Sequence, residues 1–255
     1  MTDLPAAPAL QAEWVSIAVP AAAGVAATGM PAWWARPAPG VRLRGAVLVL
    51  PEVFGVNGWV RGVAERLAAE GYAALAISTF ARSAPDLDVP YNEAGLAAGR
   101  QHRDQVTADQ LLADVAAAAA WLQQRHPTTA LGCVGFCFGG HLAMLAATCD
   151  FYGARVSTDR PGATPGDPAQ PPTLAVVHEI PGRLWCFCGD QDPLMPPEEI
   201  AAIGQALSQA GESHRLLIAA GAGHGYMCEA RADFHPEAAR AGWSAMLALF
   251  AETLG

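Results

Sequence analysis

Lysine is absent from this chain of 255 residues: all 15 of its basic lysine or arginine positions are arginine. The chain therefore lacks the lysine with which a P-loop binds phosphate. It also lacks the amine that forms a Schiff base with a carbonyl substrate or with pyridoxal phosphate. These exclusions hold whatever has biased the composition towards arginine, and they rule out three classes of active site.

Net positive charge and long hydrophobic runs are also lacking. The formal net charge is −9, whereas binding to a phosphate backbone requires clustered basic residues, so we expect no nucleic-acid partner. The longest apolar runs, around residues 45–50 and 116–122, are much shorter than the roughly 20 residues that a membrane-spanning helix needs. The hydrophobic content, much of it alanine, predicts closely packed helices and no membrane partner.

Paired cysteine motifs and a leader sequence are missing as well. The six cysteines include no Cys-x-x-Cys pair, and residues 1–11 have neither the basic cluster nor the apolar core of a signal peptide. These features predict a cytoplasmic protein with free thiols and no zinc or other metal site. Cys186 and Cys188 alternate along a predicted strand, which favours burial in the core over an exposed redox pair.

The order of predicted elements indicates an α/β fold. Two extended segments, Trp14–Val19 and Met30–Pro37, form an edge layer, and strands then alternate with helices. The apolar run Gly45–Leu50 is typical of a strand buried on both faces. This alternation predicts a mostly parallel central sheet with helices on both faces, within a single domain over residues 1–255. The proline- and glycine-rich stretch Arg160–Pro172 is interpreted as a surface loop or the edge of a lid.

Gly135-x-Cys137-x-Gly139 lies between a predicted strand and a predicted helix. This spacing predicts a strained strand-to-helix turn in which side chains at the two glycine positions would collide with the backbone. The turn exposes the Cys137 thiol, and the start of the following helix favours its ionised form. The backbone N–H of Phe138 is then placed to stabilise an oxyanion. A dinucleotide-binding loop is the alternative, but the turn lacks the Gly-x-Gly-x-x-Gly spacing.

An acid and a histidine follow the cysteine in the order that such a turn requires. Asp192 lies after the predicted strand Leu184–Cys188, and His224 lies after the last predicted strand. The carboxyl ends of parallel strands meet at one edge of the sheet, where open α/β sheets bind ligands. We therefore predict His224 as the general base and Asp192 as the residue that orients it, with Asp190 as the alternative acid.

These residues belong to a set of motifs that resembles the dienelactone hydrolase (carboxymethylenebutenolidase) family from about Trp33 to the carboxyl terminus. Five motifs occur in the family's order, and in the third a cysteine replaces the serine that is usual in such turns. They are Pro51–Asn57, Phe80–Ser83, Gly135–Gly140, Gly189–Pro193 and Gly223–Gly225. The resemblance implies an α/β-hydrolase fold that opens lactones or esters without a metal or organic cofactor.

The resemblance also implies roles for four further residues. Glu52 would contact the resting cysteine and help to deprotonate it, and the backbone N–H of Val53 would be the second oxyanion donor. Arg82 would bind a carboxylate of the substrate, for which a guanidinium is well shaped. The best-known form of the family has a second arginine four residues after the histidine, where this chain has Cys228. Arg231, three residues further on, is the candidate replacement.

The sequence thus predicts a hydrolase that opens a lactone or ester through Cys137, with a dienelactone giving a maleylacetate-type product. A general ester or thioester hydrolase of the same fold is the alternative. A non-catalytic binding or redox-sensing scaffold is a more remote one, because it predicts a missing triad member and none is missing. The only partner expected is a small-molecule lactone or ester, and the protein is expected to be a monomer or a small homo-oligomer.

Overall fold

The computed structural model describes residues 10–22, 24–146, 149–151, 174, 177, 178, 180 and 182–255. These residues form eight strands and six helices. The strands are β1 (Gln11–Val19), β2 (Thr28–Arg36), β3 (Gly45–Leu50), β4 (Tyr72–Ile77), β5 (Leu131–Phe136), β6 (Cys149–Phe151), β7 (Trp185–Gly189) and β8 (Arg215–Ala219). The helices are α1 (Gly58–Ala69), α2 (Glu93–Arg103), α3 (Ala108–Arg125), α4 (Phe138–Ala146), α5 (Pro197–Ala210) and α6 (Pro236–Thr253). The loop predicted over residues 160–172 lies outside the described residues.

All eight strands form one sheet, in the order β1-β2-β4-β3-β5-β6-β7-β8. β1 pairs with β2, and β2 with β4, in antiparallel orientation, whereas every other neighbouring pair is parallel. The sheet is therefore mixed, and its antiparallel part is the edge layer predicted from the first forty residues. The prediction of a mostly parallel sheet is confirmed.

Helices cover both faces of the sheet, as the uniformly buried strand β3 requires. Val47 and Val49 point to one face and pack in a core cluster with residues of α1 and α6. Ala46, Leu48 and Leu50 point to the other face and pack with residues of α3 and α4. Two separate cores thus fix β3 from either side and hold its carboxyl end, and the loop that follows it, in a defined position.

Local signals in the sequence set several helix boundaries. Asn57 caps α1, since its side chain accepts a hydrogen bond from the N–H of Val60 at 3.1 Å. Thr107 and Gln110 form a reciprocal capping box at the start of α3, as their spacing predicts. None of the helices in the described part of the chain is long and apolar enough to cross a membrane.

The strand cysteines lie in the core, as predicted. Cys186 and Cys188 on β7 are both fully buried and pack with apolar residues of α5, and Cys133 on β5 is buried in the cluster beneath α3 and α4. A redox role based on an exposed Cys186–Cys188 pair is therefore wrong, because neither sulfur is accessible.

Candidate active site

Cys137 is the single residue between the end of β5 and the start of α4. Its φ of 53° lies in the left-handed region, and among the described residues it is the only non-glycine residue with a positive φ. L-residues rarely adopt this conformation because the Cβ crowds the backbone, so the turn stores strain at the cysteine. The strained turn places the thiol at the carboxyl end of the sheet, beside the first turn of α4.

The two glycines of the motif are required by their surroundings. A Cβ on Gly135 would collide with the carbonyl oxygen of Gly139, and a Cβ on Gly139 would collide with the carbonyl oxygen of Leu50. In each case the obstacle is backbone, which cannot rotate away as a side chain can. The predicted reason for the Gly-x-Cys-x-Gly spacing is therefore confirmed.

Asp192 and His224 form a buried pair on the loops that follow β7 and β8. Asp192 Oδ2 lies 2.7 Å from His224 Nδ1, and Asp192 Oδ1 accepts a hydrogen bond of 2.8 Å from the N–H of Leu194. Asp190 instead accepts a hydrogen bond from the N–H of Gly221 at an exposed position. Of the two acids, the structure brings Asp192 to the histidine and holds both of its carboxylate oxygens.

The His224 ring also interacts with Cys137, which completes a chain of three side chains. Burial alone lowers the pKa of His224, but the negative charge of Cys137 and hydrogen bonds with Asp192 and Cys137 outweigh burial and raise that pKa to about 10. An imidazole that keeps its proton at neutral pH stabilises an adjacent thiolate. The arrangement is therefore suited to a charged sulfur nucleophile.

The predicted residues Glu52 and Arg231 meet in a second buried pair. Glu52 is fully buried, and its Oε1 accepts a hydrogen bond of 2.8 Å from Arg231 Nη1. Arg231 Nε donates to Asp233 Oδ1 at 3.3 Å. Burial lowers the pKa of Arg231, but the charges of Glu52, Asp233 and Cys137 outweigh burial and raise it. Because the charge of Cys137 contributes to the raised pKa of Arg231, the Glu52–Arg231 pair lies in the same site as Cys137.

Backbone geometry brings Glu52 and Val53 next to the cysteine turn. Leu50 at the end of β3 pairs with Gly135 at the end of β5, and the carbonyl oxygen of Pro51 lies 2.8 Å from the point that a Cβ on Gly139 would occupy. The two predicted oxyanion donors, the N–H groups of Val53 and Phe138, thus lie just beyond the carboxyl ends of the adjacent strands β3 and β5. Within the described parts of the chain, the Val53 N–H has no hydrogen-bond acceptor.

Sequence reasoning missed two polar residues of this site, Tyr91 and Asp233. The Arg231 guanidinium lies 5.8 Å from the centre of the Tyr91 ring, and the Tyr91 hydroxyl donates a hydrogen bond of 3.5 Å to Asn57 Oδ1. Burial, together with the charge of Glu52, raises the pKa of the Cys228 thiol to about 11. Neither Tyr91 nor Asp233 belongs to a local motif that could have indicated its role.

Arg82 has partners outside this cluster. Its Nη1 donates to Asp114 Oδ2 at 2.8 Å, and its Nε donates to the carbonyl oxygen of Ala26 at 3.3 Å. The neighbouring Phe80 stacks on Phe138 with ring centres 5.6 Å apart, so Arg82 lies near the cysteine turn. The structure therefore brings Cys137, Asp192, His224, Glu52 and Arg231 together and leaves Arg82 bonded to an acid of α3.

Comparison with known proteins identifies the family of this chain. The family model described as the dienelactone hydrolase family matches residues 30–254. A protein of Synechocystis sp., provisionally named carboxymethylenebutenolidase, is 36% identical over 213 residues, which cover 80% of this chain and 84% of that protein. A Bradyrhizobium protein, provisionally named 2-oxo-3-(5-oxofuran-2-ylidene)propanoate lactonase, is 32% identical over 225 residues, covering 84% of this chain and 85% of the relative.

Solved structures give the same result for the fold. A crystal structure of a Klebsiella pneumoniae protein, provisionally described as a dienelactone hydrolase, superposes with a TM-score of 0.80 at 25% identity and covers 96% of this chain and 99% of that one. The α/β-hydrolase fold and the resemblance predicted from the five motifs are both confirmed. With the family model matching nearly the whole length, this chain belongs to the dienelactone hydrolase family.

Proposed function

We propose that this protein hydrolyses a lactone or a carboxylic ester through a covalent intermediate on Cys137, with His224 and Asp192 as its base and orienting acid. Family membership supports a hydrolase acting on lactones or esters. The observation that carries the finer proposal is the strained Cys137 turn, linked through His224 to a buried Asp192 at 2.7 Å. This is the arrangement of nucleophile, base and orienting group that acyl transfer needs.

In the first half of the reaction the Cys137 thiolate attacks the carbonyl carbon and forms a carbon–sulfur bond. The carbonyl electrons move to oxygen, and the resulting oxyanion accepts hydrogen bonds from the N–H groups of Phe138 and Val53. Collapse of this intermediate breaks the bond to the ester oxygen, which takes a proton from His224. In a lactone the leaving oxygen stays attached to the acyl group, so the product of this half is a ring-opened thioester.

In the second half His224 removes a proton from water, and the water oxygen attacks the thioester carbon. The carbon–sulfur bond breaks, the acid leaves, and Cys137 returns as a thiolate beside the protonated His224. Glu52 is proposed to assist the first activation of the enzyme, in which the proton of a neutral Cys137 thiol passes to His224 and leaves the thiolate–imidazolium pair from which the reaction starts. Its support is that Glu52 is fully buried and that its Oε2 has no hydrogen-bond partner among the described residues.

The reference substrate is a conjugated dienelactone, which would give a maleylacetate-type product. Names of the relatives support it, since both describe enzymes that act on unsaturated lactones. A general ester or thioester hydrolase is the second candidate, and one observation favours it. Arg82, the predicted ligand of the substrate carboxylate, has its guanidinium bonded to Asp114.

The test is ring opening of a dienelactone, followed as loss of ultraviolet absorbance. The absorbance should fall rapidly with the natural protein and only at the uncatalysed rate with Cys137→Ala. Cys133→Ala is the matched control, because it removes a buried thiol from β5, the strand that leads into the Cys137 turn, and should remain active. Equal rates for the natural protein and Cys137→Ala would refute the nucleophile. Absence of turnover in both would move the search to simple esters and thioesters.

A further inference from the structure

The segment that follows β8 carries both His224 and Arg231, and one acid on it contacts the backbone beside the histidine. Asp233 Oδ2 accepts a hydrogen bond of 2.6 Å from the N–H of Gly225, the residue that follows His224. Asp233 Oδ1 accepts a hydrogen bond of 3.3 Å from Arg231 Nε. Because each oxygen of the carboxylate has its own donor, the side chain of Asp233 is held in one orientation.

The hydrogen bond from Gly225 gives a buried backbone group its acceptor. Gly225 is buried, and among the described residues its N–H has no backbone acceptor. The N–H groups of Cys228 and His235 donate to the carbonyl oxygens of Gly225 and Tyr226 at 2.9 and 3.0 Å, so the segment folds back on itself. A buried N–H without an acceptor is costly. Asp233 therefore completes the hydrogen bonding of this turn at the residue next to His224.

Asp233 also packs against both neighbours of His224 in the chain. A Cβ on Gly223 would lie 3.2 Å from Asp233 Oδ2, which is tighter than ordinary van der Waals contact. A Cβ on Gly225 would lie 2.6 Å from Asp233 Oδ1 and would collide with Arg231 Nε. The two glycines thus leave the space that Asp233 and Arg231 fill. The backbone of His224 cannot shift towards this side without disturbing that packing.

The surroundings of Asp233 keep its carboxyl group ionised at neutral pH. Burial raises the pKa of Asp233, but the hydrogen bond from Gly225 and the charge of Arg231 outweigh burial, so the pKa is lowered. An ionised carboxylate accepts hydrogen bonds at both oxygens, and these bonds are stronger than those of a neutral acceptor. The ionised form is therefore the one that can hold the two donors at once.

Two acids thus act on different parts of His224. Asp192 Oδ2 lies 2.7 Å from Nδ1 of the ring, whereas Asp233 holds the backbone that follows the residue. The bond from Asp192 sets the rotation of the imidazole, but the distance from the ring to Cys137 also depends on where the backbone lies. In an active site a misplacement of about 1 Å can lower the rate about 100-fold.

We infer that Asp233 is a positioning residue of this enzyme, which fixes the backbone of the histidine loop through Gly225 and ties that loop to Arg231. The inference rests on the proposed role of His224 as general base. It adds a second orienting acid to the site, one that contacts neither the imidazole ring nor the substrate carbonyl in the proposed reaction. Supporting contacts of this kind hold reacting groups within the narrow range of positions that catalysis needs.

The test measures hydrolysis of 4-nitrophenyl acetate by two variants of Asp233. Asp233→Ala removes both acceptors, so kcat per folded protein should fall about 100-fold, with KM changed less than about threefold. Asp233→Asn keeps one acceptor oxygen for two donors, so its kcat should fall only about 3- to 10-fold. A role limited to stability would lower the amount of folded protein and leave kcat per folded protein unchanged.

Glu229→Ala is the matched control, because Glu229 is an acid of the same segment that also holds two donors. Its carboxylate accepts hydrogen bonds from Trp59 Nε1 at 2.8 Å and from Arg66 Nη1 at 3.0 Å, both on α1. Glu229→Ala removes the same charge and should leave kcat within about twofold of the natural value. Equal falls in Asp233→Ala and Glu229→Ala would overturn the inference. An unchanged kcat in Asp233→Asn would also overturn it, even if Asp233→Ala does not fold.

Histidine NMR in a Cys137→Ala background separates this inference from the proposed function, because it requires no turnover. With Cε1 of the histidines labelled with carbon-13, the His224 signal is assigned by its absence from a His224→Gln variant. Adding Asp233→Ala, or Asp233→Asn if the former does not fold, should shift and broaden this signal, whereas Glu229→Ala should not. A shift in a protein whose natural form hydrolyses no lactone or ester would support the positioning role and refute the hydrolase function. An unmoved signal would overturn the positioning role, even if the natural protein is active.

Discussion

The two acid–base pairs of the site have similar geometry and different chemistry. Asp192 and His224 meet at 2.7 Å, Glu52 and Arg231 meet at 2.8 Å, and both acids are buried. The cation of the first pair is an imidazole, which can release its proton, whereas that of the second is a guanidinium, which stays charged. The proposed function therefore assigns proton transfer at Cys137 to the Asp192–His224 pair and leaves the Glu52–Arg231 pair to fix charge and shape.

The largest expected difference between the Asp192–His224 pair and the Glu52–Arg231 pair is in turnover. His224→Gln removes the group that exchanges protons with the thiol and the leaving oxygen, so turnover should fall about 10⁴-fold or more. His214→Gln is the control, since His214 accepts a hydrogen bond from the N–H of Leu184 and should leave the rate near normal. Steady-state assays with one ester measure both variants. Near-normal turnover in His224→Gln would remove its assigned role.

The second-largest expected effect is on stability, and it concerns the Glu52–Arg231 pair. Arg231→Met leaves Glu52 as a buried, unpaired charge, so the free energy of unfolding should fall by about 3 kcal/mol. Adding Glu52→Gln should restore much of this loss, because the double variant buries no charge. Denaturant titrations of both single variants and the double variant give the coupling. Simple additivity of the single effects would mean that the pair is not a structural unit.

The cysteine turn was predictable from sequence because backbone sterics constrain it. Gly135 and Gly139 are needed by close backbone contacts, so their spacing around Cys137 is a local signature of a geometric requirement. Strand β3 was predicted with its observed bounds because the strand is buried on both faces and its sequence is correspondingly apolar. In both cases a short segment carries the whole signal.

The two buried arginine–acid pairs depend on contacts that no local sequence pattern indicates. Glu52 and Arg231 are 179 residues apart, and Arg82 and Asp114 are 32 apart. Helix α2 was missed for a related reason: its buried positions are glycines, including Gly99, which packs against the carbonyl of Val53, and so it has no apolar stripe. Pairings of this kind appear only when the fold is assembled.

A smaller effect should come from the cysteine turn itself. Gly139→Ala directs a Cβ into the carbonyl oxygen of Leu50, and the resulting backbone shift should lower the free energy of unfolding by about 2 kcal/mol. Gly62→Ala is the control, since a Cβ there meets nothing within 4 Å in the middle of α1. It should stabilise the protein by up to about 1 kcal/mol. Equal destabilisation of both variants would refute the steric account of the turn.

The smallest effect is on the pH dependence of stability near Arg231. Burial raises the pKa of the Cys228 thiol from its ordinary value of 9.0 to about 11, so the folded protein favours the neutral thiol. The resulting contribution to stability is fully present at pH values below the pKa of the unfolded chain. That contribution is lost as the pH rises through the folded pKa. Between pH 9 and pH 11, unfolding free energies should fall more steeply in the natural protein than in Cys228→Val, by about 1 kcal/mol per pH unit. Parallel curves would contradict this.

The central claim, that Cys137 carries the acyl group, is tested most directly by trapping the intermediate. The protein is mixed with 4-nitrophenyl acetate, quenched in acid within the first turnover and analysed by mass spectrometry of its peptides. The account predicts a burst of about one equivalent of nitrophenolate and an acetyl group on the peptide that contains Cys137, removable by hydroxylamine and absent from Cys137→Ala. Acetylation of another residue, with full turnover retained in Cys137→Ala, would contradict it.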